Sequence, residues 1–238
     1  MIIGNPLVSI ICTSYNNPMI EGAIKGVLAQ TYKNFELILL DDNSNQKTLD
    51  IYKKFDDPRI VFYNSHVKKE DRLKVCPYAR QINKGLKMAK GKLVMYLTDD
   101  NVYFPNKLER VVRYFRWHPR VKVVYNRQKQ QLHPNTMLKG TELENVPVEE
   151  IFKIMGADRV LKSAFCRVDH NSVTHYMSCV KEVGDWGTES FAMADAYYWN
   201  KLSTKYLFYP IREILETSYA HDNSFSTKII TGKIKKHE

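Results

Sequence analysis

Apolar runs of strand length recur along the first half of the chain, each followed by a polar turn and a segment of helical period. The first run is Leu7-Val8-Ser9-Ile10-Ile11-Cys12, which reads as a buried strand. Polar Thr13-Ser14-Tyr15-Asn16-Asn17 turns the chain, and Pro18 suits the first turn of a helix over about 18–30. A second strand over 35–40 ends in Asp41-Asp42-Asn43-Ser44-Asn45, whose side chains can cap a helix near 48–55. A third strand is predicted over 59–63 and a helix over 77–89, with Gly91 just beyond it as a stop signal. The fourth strand, 93–97, runs straight into Thr98-Asp99-Asp100. Pro105 then opens a helix through about 117, and a fifth strand is expected over 121–125.

Strands alternating with helices predict a parallel sheet covered on both faces. Ligands in such sheets bind at the carboxyl ends of the strands. Three of the predicted strands end in polar or acidic clusters, at Thr13-Ser14-Tyr15-Asn16, Asp41-Asp42 and Thr98-Asp99-Asp100. Parallel strands would bring all three to one edge.

The alternation stops after about residue 127. Residues 128–160 are polar and mixed and read as loop plus a short helix. The stretch 167–181 looks strand-rich, 191–202 reads as a helix, and the basic end is expected to fray. The fold class expected is α/β, with residues 1–127 as one half of a single domain and 128–238 as the other.

A length of 238 residues fits one such domain. No apolar run approaches the ~20 residues that cross a bilayer, and the start lacks the pattern of a signal peptide. These features predict a cytoplasmic protein, with peripheral membrane contact as an alternative. The four cysteines Cys12, Cys76, Cys166 and Cys179 have no metal-site spacing, so buried free thiols are expected. The net charge of +10 and pI near 9.3 suit a polyanionic partner or an enzyme binding an anionic nucleotide.

Adjacent carboxylates such as Asp99 and Asp100 repel each other unless a cation lies nearby. A divalent cation bridging to a diphosphate resolves this, and hard oxygen ligands suit Mg²⁺ or Mn²⁺. The bland alternative is a solvated loop capping the next helix. A carboxylate in Asp41-Asp42 could accept a pyrimidine ring N–H or simply hold a turn. Thr13 and Tyr15 could offer a hydroxyl and a ring face to a base.

Taken together, these motifs resemble family 2 glycosyltransferases of the GT-A fold. The similar stretches are Val8 through Asn16, Gln30-Thr31-Tyr32, Phe35-Glu36-Leu37-Ile38, Asp41-Asp42-Asn43-Ser44, Asn83-Lys84-Gly85-Leu86 and Ala89-Lys90-Gly91-Lys92. Thr98-Asp99-Asp100-Asn101 is most similar to the spore-coat polysaccharide biosynthesis type, where the family more often has Asp-x-Asp. The resemblance resumes at Asp169-His170-Asn171-Ser172-Val173, around Trp186, and at Ala194-Asp195-Ala196.

The resemblance implies a Rossmann-like, mostly parallel sheet with a smaller acceptor-side lobe. It implies inverting, metal-dependent transfer of a sugar from a UDP- or dTDP-sugar to a hydroxyl, on a polysaccharide or glycan acceptor. By position, Thr13, Tyr15 and Asp42 would hold the pyrimidine, with Arg72 close to the nucleotide. Asp99 would face the ribose or sugar, Asp100 would be the principal ligand of Mn²⁺ or Mg²⁺, and His221 would meet the metal or diphosphate. Asp195 would be the general base. Relatives often carry an acidic pair there, whereas Asp195 follows alanine, so Glu189 is the alternative. Asp169 and His170 would lie on the acceptor side, and His175 could join them.

Arg110, Arg113 and Arg116 recur every third residue on one predicted helix, with Arg120 just beyond. This stripe reads as a solvated face or as a site for an anionic acceptor: a phosphate-containing glycan, a lipid-linked acceptor or nucleic acid. A hydroxylated DNA base is therefore an alternative acceptor. A nucleotidyltransferase is a further alternative, but no Gly-rich phosphate loop follows the first strand.

Overall fold

The computed structural model describes residues 4–132, 158–190 and 193–220. Its first half follows the alternation in the sequence: β1 (Val8–Ser14), α1 (Ile20–Leu28), β2 (Phe35–Asp41), α2 (Gln46–Tyr52), β3 (Ile60–Asn64), α3 (Pro77–Met88) and β4 (Leu93–Thr98). A short strand β5 (Asn101–Tyr103), helix α4 (Lys107–Trp117) and strand β6 (Val123–Leu132) follow. The later elements are a 3-10 turn (His170–Ser172), β7 (Val173–Tyr176), α5 (Met177–Val183), α6 (Ala194–Ser203) and β8 (Phe208–Ala220).

All eight strands join one sheet in the order β3-β2-β1-β4-β7-β6-β8-β5. β1, β2, β3 and β4 are mutually parallel. β7 then pairs antiparallel with both β4 and β6, while β6 and β8 run parallel. The sheet is thus mixed, and it runs unbroken through the boundary near residue 127 expected from sequence.

Burial explains the strand sequences. Every residue of β1 and of β2 is buried, because helices cover the sheet on both faces. Two polar residues inside this layer satisfy each other. Glu36 accepts from Ser9 Oγ at 2.6 Å and from Lys90 N–H at 2.7 Å, and Ser9 Oγ accepts from Gly91 N–H at 2.8 Å. Gly91 was expected as a helix stop, but its role is different. A Cβ there would lie 2.5 Å from the Ser9 backbone nitrogen and 2.9 Å from the Leu7 carbonyl oxygen. Backbone cannot yield to such a clash. Gly91→Ala is expected to cost about 1–3 kcal/mol, read as a lower urea midpoint with an unchanged m-value.

α1 buries Ile20, Ala23, Ile24 and Val27, the spacing of an amphipathic helix. Its end is fixed by buried Gln30. That side chain donates to Gly26 O at 2.9 Å and Phe104 O at 2.7 Å, and accepts from Leu108 N–H at 3.0 Å. One residue thereby ties α1 to the start of α4, which carries the chain away from the acidic loop.

Two expectations are corrected here. The stretch 167–181 is less strand-rich than expected, with strand only at Val173–Tyr176 before helix α5. Cys166 is exposed, whereas Cys12, Cys76 and Cys179 are buried free thiols. The short helix expected within 128–160 and the basic end fall largely or wholly outside the described residues. No helix among the described residues is long and apolar enough to cross a membrane.

The arginine stripe on α4 is also less free than its spacing suggests. Arg110 pairs with Glu213 at 3.1 Å, Arg113 lies over the Trp117 ring at 5.5 Å, and Arg116 donates to Gly4 O and Asn5 Oδ1.

Candidate active site

Strand register brings the three polar clusters level. Ser14 lies opposite Asp41, and Thr13 lies opposite Thr98. Parallel pairing therefore places Tyr15, Asp42 and Asp99 just past adjacent strand ends, along one edge of the sheet.

The structure separates the roles of Asp41 and Asp42. Asp41 is fully buried and accepts from Tyr52 Oη at 2.9 Å, Ser44 N–H at 2.8 Å and Asn64 Nδ2 at 2.7 Å. It holds the turn. Asp42 faces two cations, with Arg72 Nε at 2.7 Å from Oδ2 and an Arg80 terminal nitrogen at 2.7 Å from Oδ1. Ser65 Oγ donates to the same Oδ1 at 3.2 Å. The Arg72 guanidinium carbon also sits 3.5 Å from the Tyr15 ring centroid. Arg72 thus bridges the carboxylate and the ring face. Thr13 is buried at the end of β1.

The acidic pair is equally differentiated. Asp99 accepts from Tyr15 N–H at 3.1 Å and Asn17 Nδ2 at 2.9 Å, which locks the loops after β1 and β4 together. Burial, followed by the charge of Asp100, pushes its carboxyl up to about 7. Asp100 Oδ1 accepts from Thr98 Oγ1 at 2.6 Å.

Thr98 is in turn held from the second half of the chain. Its N–H donates to Asn171 Oδ1 at 2.6 Å, while Asn171 N–H and Nδ2 donate to Asp169 Oδ1 at 2.8 and 3.1 Å. This chain of bonds links Asp100, just past β4, to Asp169. His170 is buried, packed against Tyr78, Tyr96 and Trp186 at ring distances of 5.9, 5.6 and 5.4 Å. Burial pulls it down to about 4, against the charges of Asp169 and Asp100, so it is neutral at pH 7. His175 does not reach the surface. It is fully buried beneath Tyr96, whose hydroxyl lies 2.8 Å from His175 Nε2.

Asp195 opens helix α6, and its backbone N–H donates to Tyr78 Oη at 3.3 Å. Burial, with a smaller contribution from the charge of Asp169, pushes its carboxyl up to about 6. Glu189 is exposed instead. A carboxyl near 6 is well matched to taking a proton at neutral pH. Helix α3 ties this later segment down: Asn83 exchanges two hydrogen bonds with the Trp186 backbone, at 2.8 and 2.9 Å, Cys76 N–H donates to Thr188 O at 2.8 Å, and Tyr78 meets the Asp195 N–H.

The paired carboxylates fit a hard divalent cation that takes most of its ligands from phosphate and water, since Mg²⁺ is commonly held by one or two carboxylates plus substrate oxygens. Among the described residues no three acidic, histidine or cysteine groups cluster as a protein-only metal cage. His221 lies outside the described residues.

A family model described as "Glycosyl transferase family 2" matches residues 9–180, most of the chain. The chain belongs to glycosyl transferase family 2. Protein CgeD of Bacillus subtilis (strain 168) is 38% identical over 227 residues, covering 92% of this chain and 51% of CgeD. The Escherichia coli protein WfaP is named a UDP-Glc:alpha-D-GlcNAc-diphosphoundecaprenol beta-1,3-glucosyltransferase. It is 36% identical over 109 residues, covering 45% of this chain and 41% of WfaP. The chain thus spans about half the length of these relatives. The solved structure of S. aureus TarS 1-349 with UDP-GlcNAc superposes with a TM-score of 0.67 at 16% identity, covering 91% of this chain and 59% of TarS 1-349. The fold of the chain is accordingly GT-A.

Arg80, Asn17 and Asn171 were not singled out by sequence as site residues. Arg80 carried a usable signal: a helix opening at Pro77 after a parallel strand begins near the carboxyl edge, so a cation in its first turn faces the ligand end. Asn171 sat in a motif whose acid and histidine drew the attention.

Proposed function

We propose that this glycosyltransferase moves a sugar from a UDP- or dTDP-sugar to a hydroxyl of a glycan acceptor with inversion, dependent on Mn²⁺ or Mg²⁺. The observation that carries the proposal is the level arrangement of Tyr15, Asp42 and the Asp99–Asp100 pair along one sheet edge, and the buried Asp195 carboxyl, pushed up to about 6, supports the base role.

In this reading Tyr15 stacks the pyrimidine and Asp42 accepts its ring N–H. Thr13 and Arg72 line the same slot, with Arg72 released from the Tyr15 face. Asp99 accepts from the ribose or donor sugar, and Asp100 is the protein's principal oxygen ligand to the cation, with His221 as a second contact. The bound cation would neutralise charge developing on the departing diphosphate. Asn171 orients Asp100 through Thr98, so the nucleotide side and the Asp169–His170 side are set by one side chain. Asp195 takes the proton of the acceptor hydroxyl as that oxygen attacks the anomeric carbon. A single base with no protein nucleophile gives inversion. WfaP, whose printed name gives UDP-Glc as donor and a lipid diphosphate-linked sugar as acceptor, supports a glycan acceptor over nucleic acid.

Calorimetry with UDP and dTDP, each with and without Mn²⁺, tests the donor half. Binding is expected for at least one of them, stronger with the metal and weakened about tenfold or more by Tyr15→Ala. Absence of binding by either nucleotide would sink the proposal.

A further inference from the structure

An aromatic pair beside the start of α6 is used by none of the steps above. Tyr197 lies two residues after Asp195 on α6 and is 54% exposed, unusual for a large ring. Its partner is Phe165, half-buried, with ring centroids 5.5 Å apart and planes tilted by 59°. Phe165 belongs to a tight turn closed by Arg167 N–H donating to Ala164 O at 3.1 Å. The turn holds Cys166 at φ +52°, in the left-handed region that side chains disfavour.

This turn lies across the start of α6. The Phe165 ring meets Tyr197, and the Cys166 thiol next to it is pushed up by burial and, after that, by the charge of Asp195. The same loop carries exposed Lys162 and Arg167. Among the described residues neither meets a carboxylate. Two rings held at an angle offer electron-rich faces to the C–H face of a pyranose. A guanidinium and an ammonium on the adjoining turn suit a phosphoester, the guanidinium by a two-pronged hydrogen bond.

We propose that Phe165 and Tyr197 form the acceptor platform, and that it selects a sugar carrying a phosphoester, with Arg167 and Lys162 on the phosphate. The inference rests on the glycosyltransferase reading of Asp195 and names the acceptor class for that site.

The test uses the whole chain saturated with UDP and Mn²⁺, probed by saturation-transfer NMR and calorimetry. The probes are N-acetylglucosamine 1-phosphate, free N-acetylglucosamine and inorganic phosphate. The sugar phosphate is expected to bind best, with saturation on its pyranose ring protons. Phe165→Ala and Tyr197→Ala should each weaken it about tenfold, while Tyr197→Phe, which keeps the ring, should not. Arg167→Gln should remove most of the advantage of the sugar phosphate over the free sugar. Circular dichroism and UDP affinity, measured on the same samples, show that the variants are folded. The proposal is overturned if the ring variants bind the sugar phosphate as well as the parent. It is equally overturned if inorganic phosphate binds as tightly, or if no probe binds while UDP does. Ring-dependent sugar-phosphate binding by a chain that fails to bind UDP would instead overturn the nucleotide reading and leave the platform standing.

Discussion

Asp195→Asn is expected to retain nucleotide binding and to lose transfer by about 10²–10⁴-fold, the usual contribution of a general base. Asparagine keeps the size and the Ala196 hydrogen bond at 2.8 Å, so the start of α6 should survive. It cannot take a proton. The expected signature is therefore a fall in kcat with an unchanged UDP affinity. The pH profile gives a second readout. Burial raises the Asp195 carboxyl to about 6, and only the deprotonated form is a base. The acid limb of kcat should therefore fall as pH drops through about 6, rather than near the ordinary carboxylate range of about 4. In Asp195→Asn the Asp195 part of that limb should vanish from whatever rate remains, leaving only what the Asp99 carboxyl, at about 7, contributes. Near-normal transfer by Asp195→Asn, with Glu189→Gln inactive, would move the base to Glu189.

How far the sequence disclosed this site follows from how local each feature is. The strands of the first half were legible because each is a short, apolar run between turn signals. Parallel pairing then made the common edge of Tyr15, Asp42 and Asp99 deducible without coordinates. β8 was not legible. It contains Pro210, and Arg212, Glu213 and Glu216 break its apolar pattern. Its pairing with β6 shifts register between Asn126 and Arg127 and again by Lys129. β5 was hidden for a related reason: three residues directly after the acidic loop form a strand only because β8 arrives to pair with them. Resemblance selected Asp42 over Asp41 for the site, and what distinguishes the two in the structure is their partners. Tyr52, Ser44 and Asn64 consume Asp41, whereas two arginines and a serine reach Asp42. Non-local partners of this kind leave no periodic trace.

The least legible feature carries the second large expected effect. Lys107→Met should destabilise the fold by about 3–5 kcal/mol, because it leaves a carboxylate buried without its cation. Lys107 and Glu216 are both fully buried and form an ion pair between the start of α4 and the middle of β8. Burial pulls the lysine down and pushes the glutamate up, each opposed by the charge of the other. Further bonds offset the desolvation. Lys107 Nζ donates to Asn171 O at 2.9 Å and lies 3.7 Å from the Tyr103 ring centroid, while Asn126 Nδ2 donates to Glu216 at 3.3 Å. Replacing both charges, in Lys107→Met with Glu216→Leu, should recover most of the lost stability, since apolar substitutes of similar volume commonly match a buried pair. Urea unfolding of the parent, both single variants and the double variant measures this coupling directly. Single variants within about 1 kcal/mol of the parent would show that the pair is not desolvated as the structure has it. Stability and activity should part company in the double variant. The Asn171 carbonyl loses its donor there, and the Asn171 side chain is what holds Thr98 and, through it, Asp100. A chain as stable as the parent but with weaker metal-dependent UDP binding is the expected result, and it would place the function of this buried pair in the geometry of the acidic loop rather than in folding.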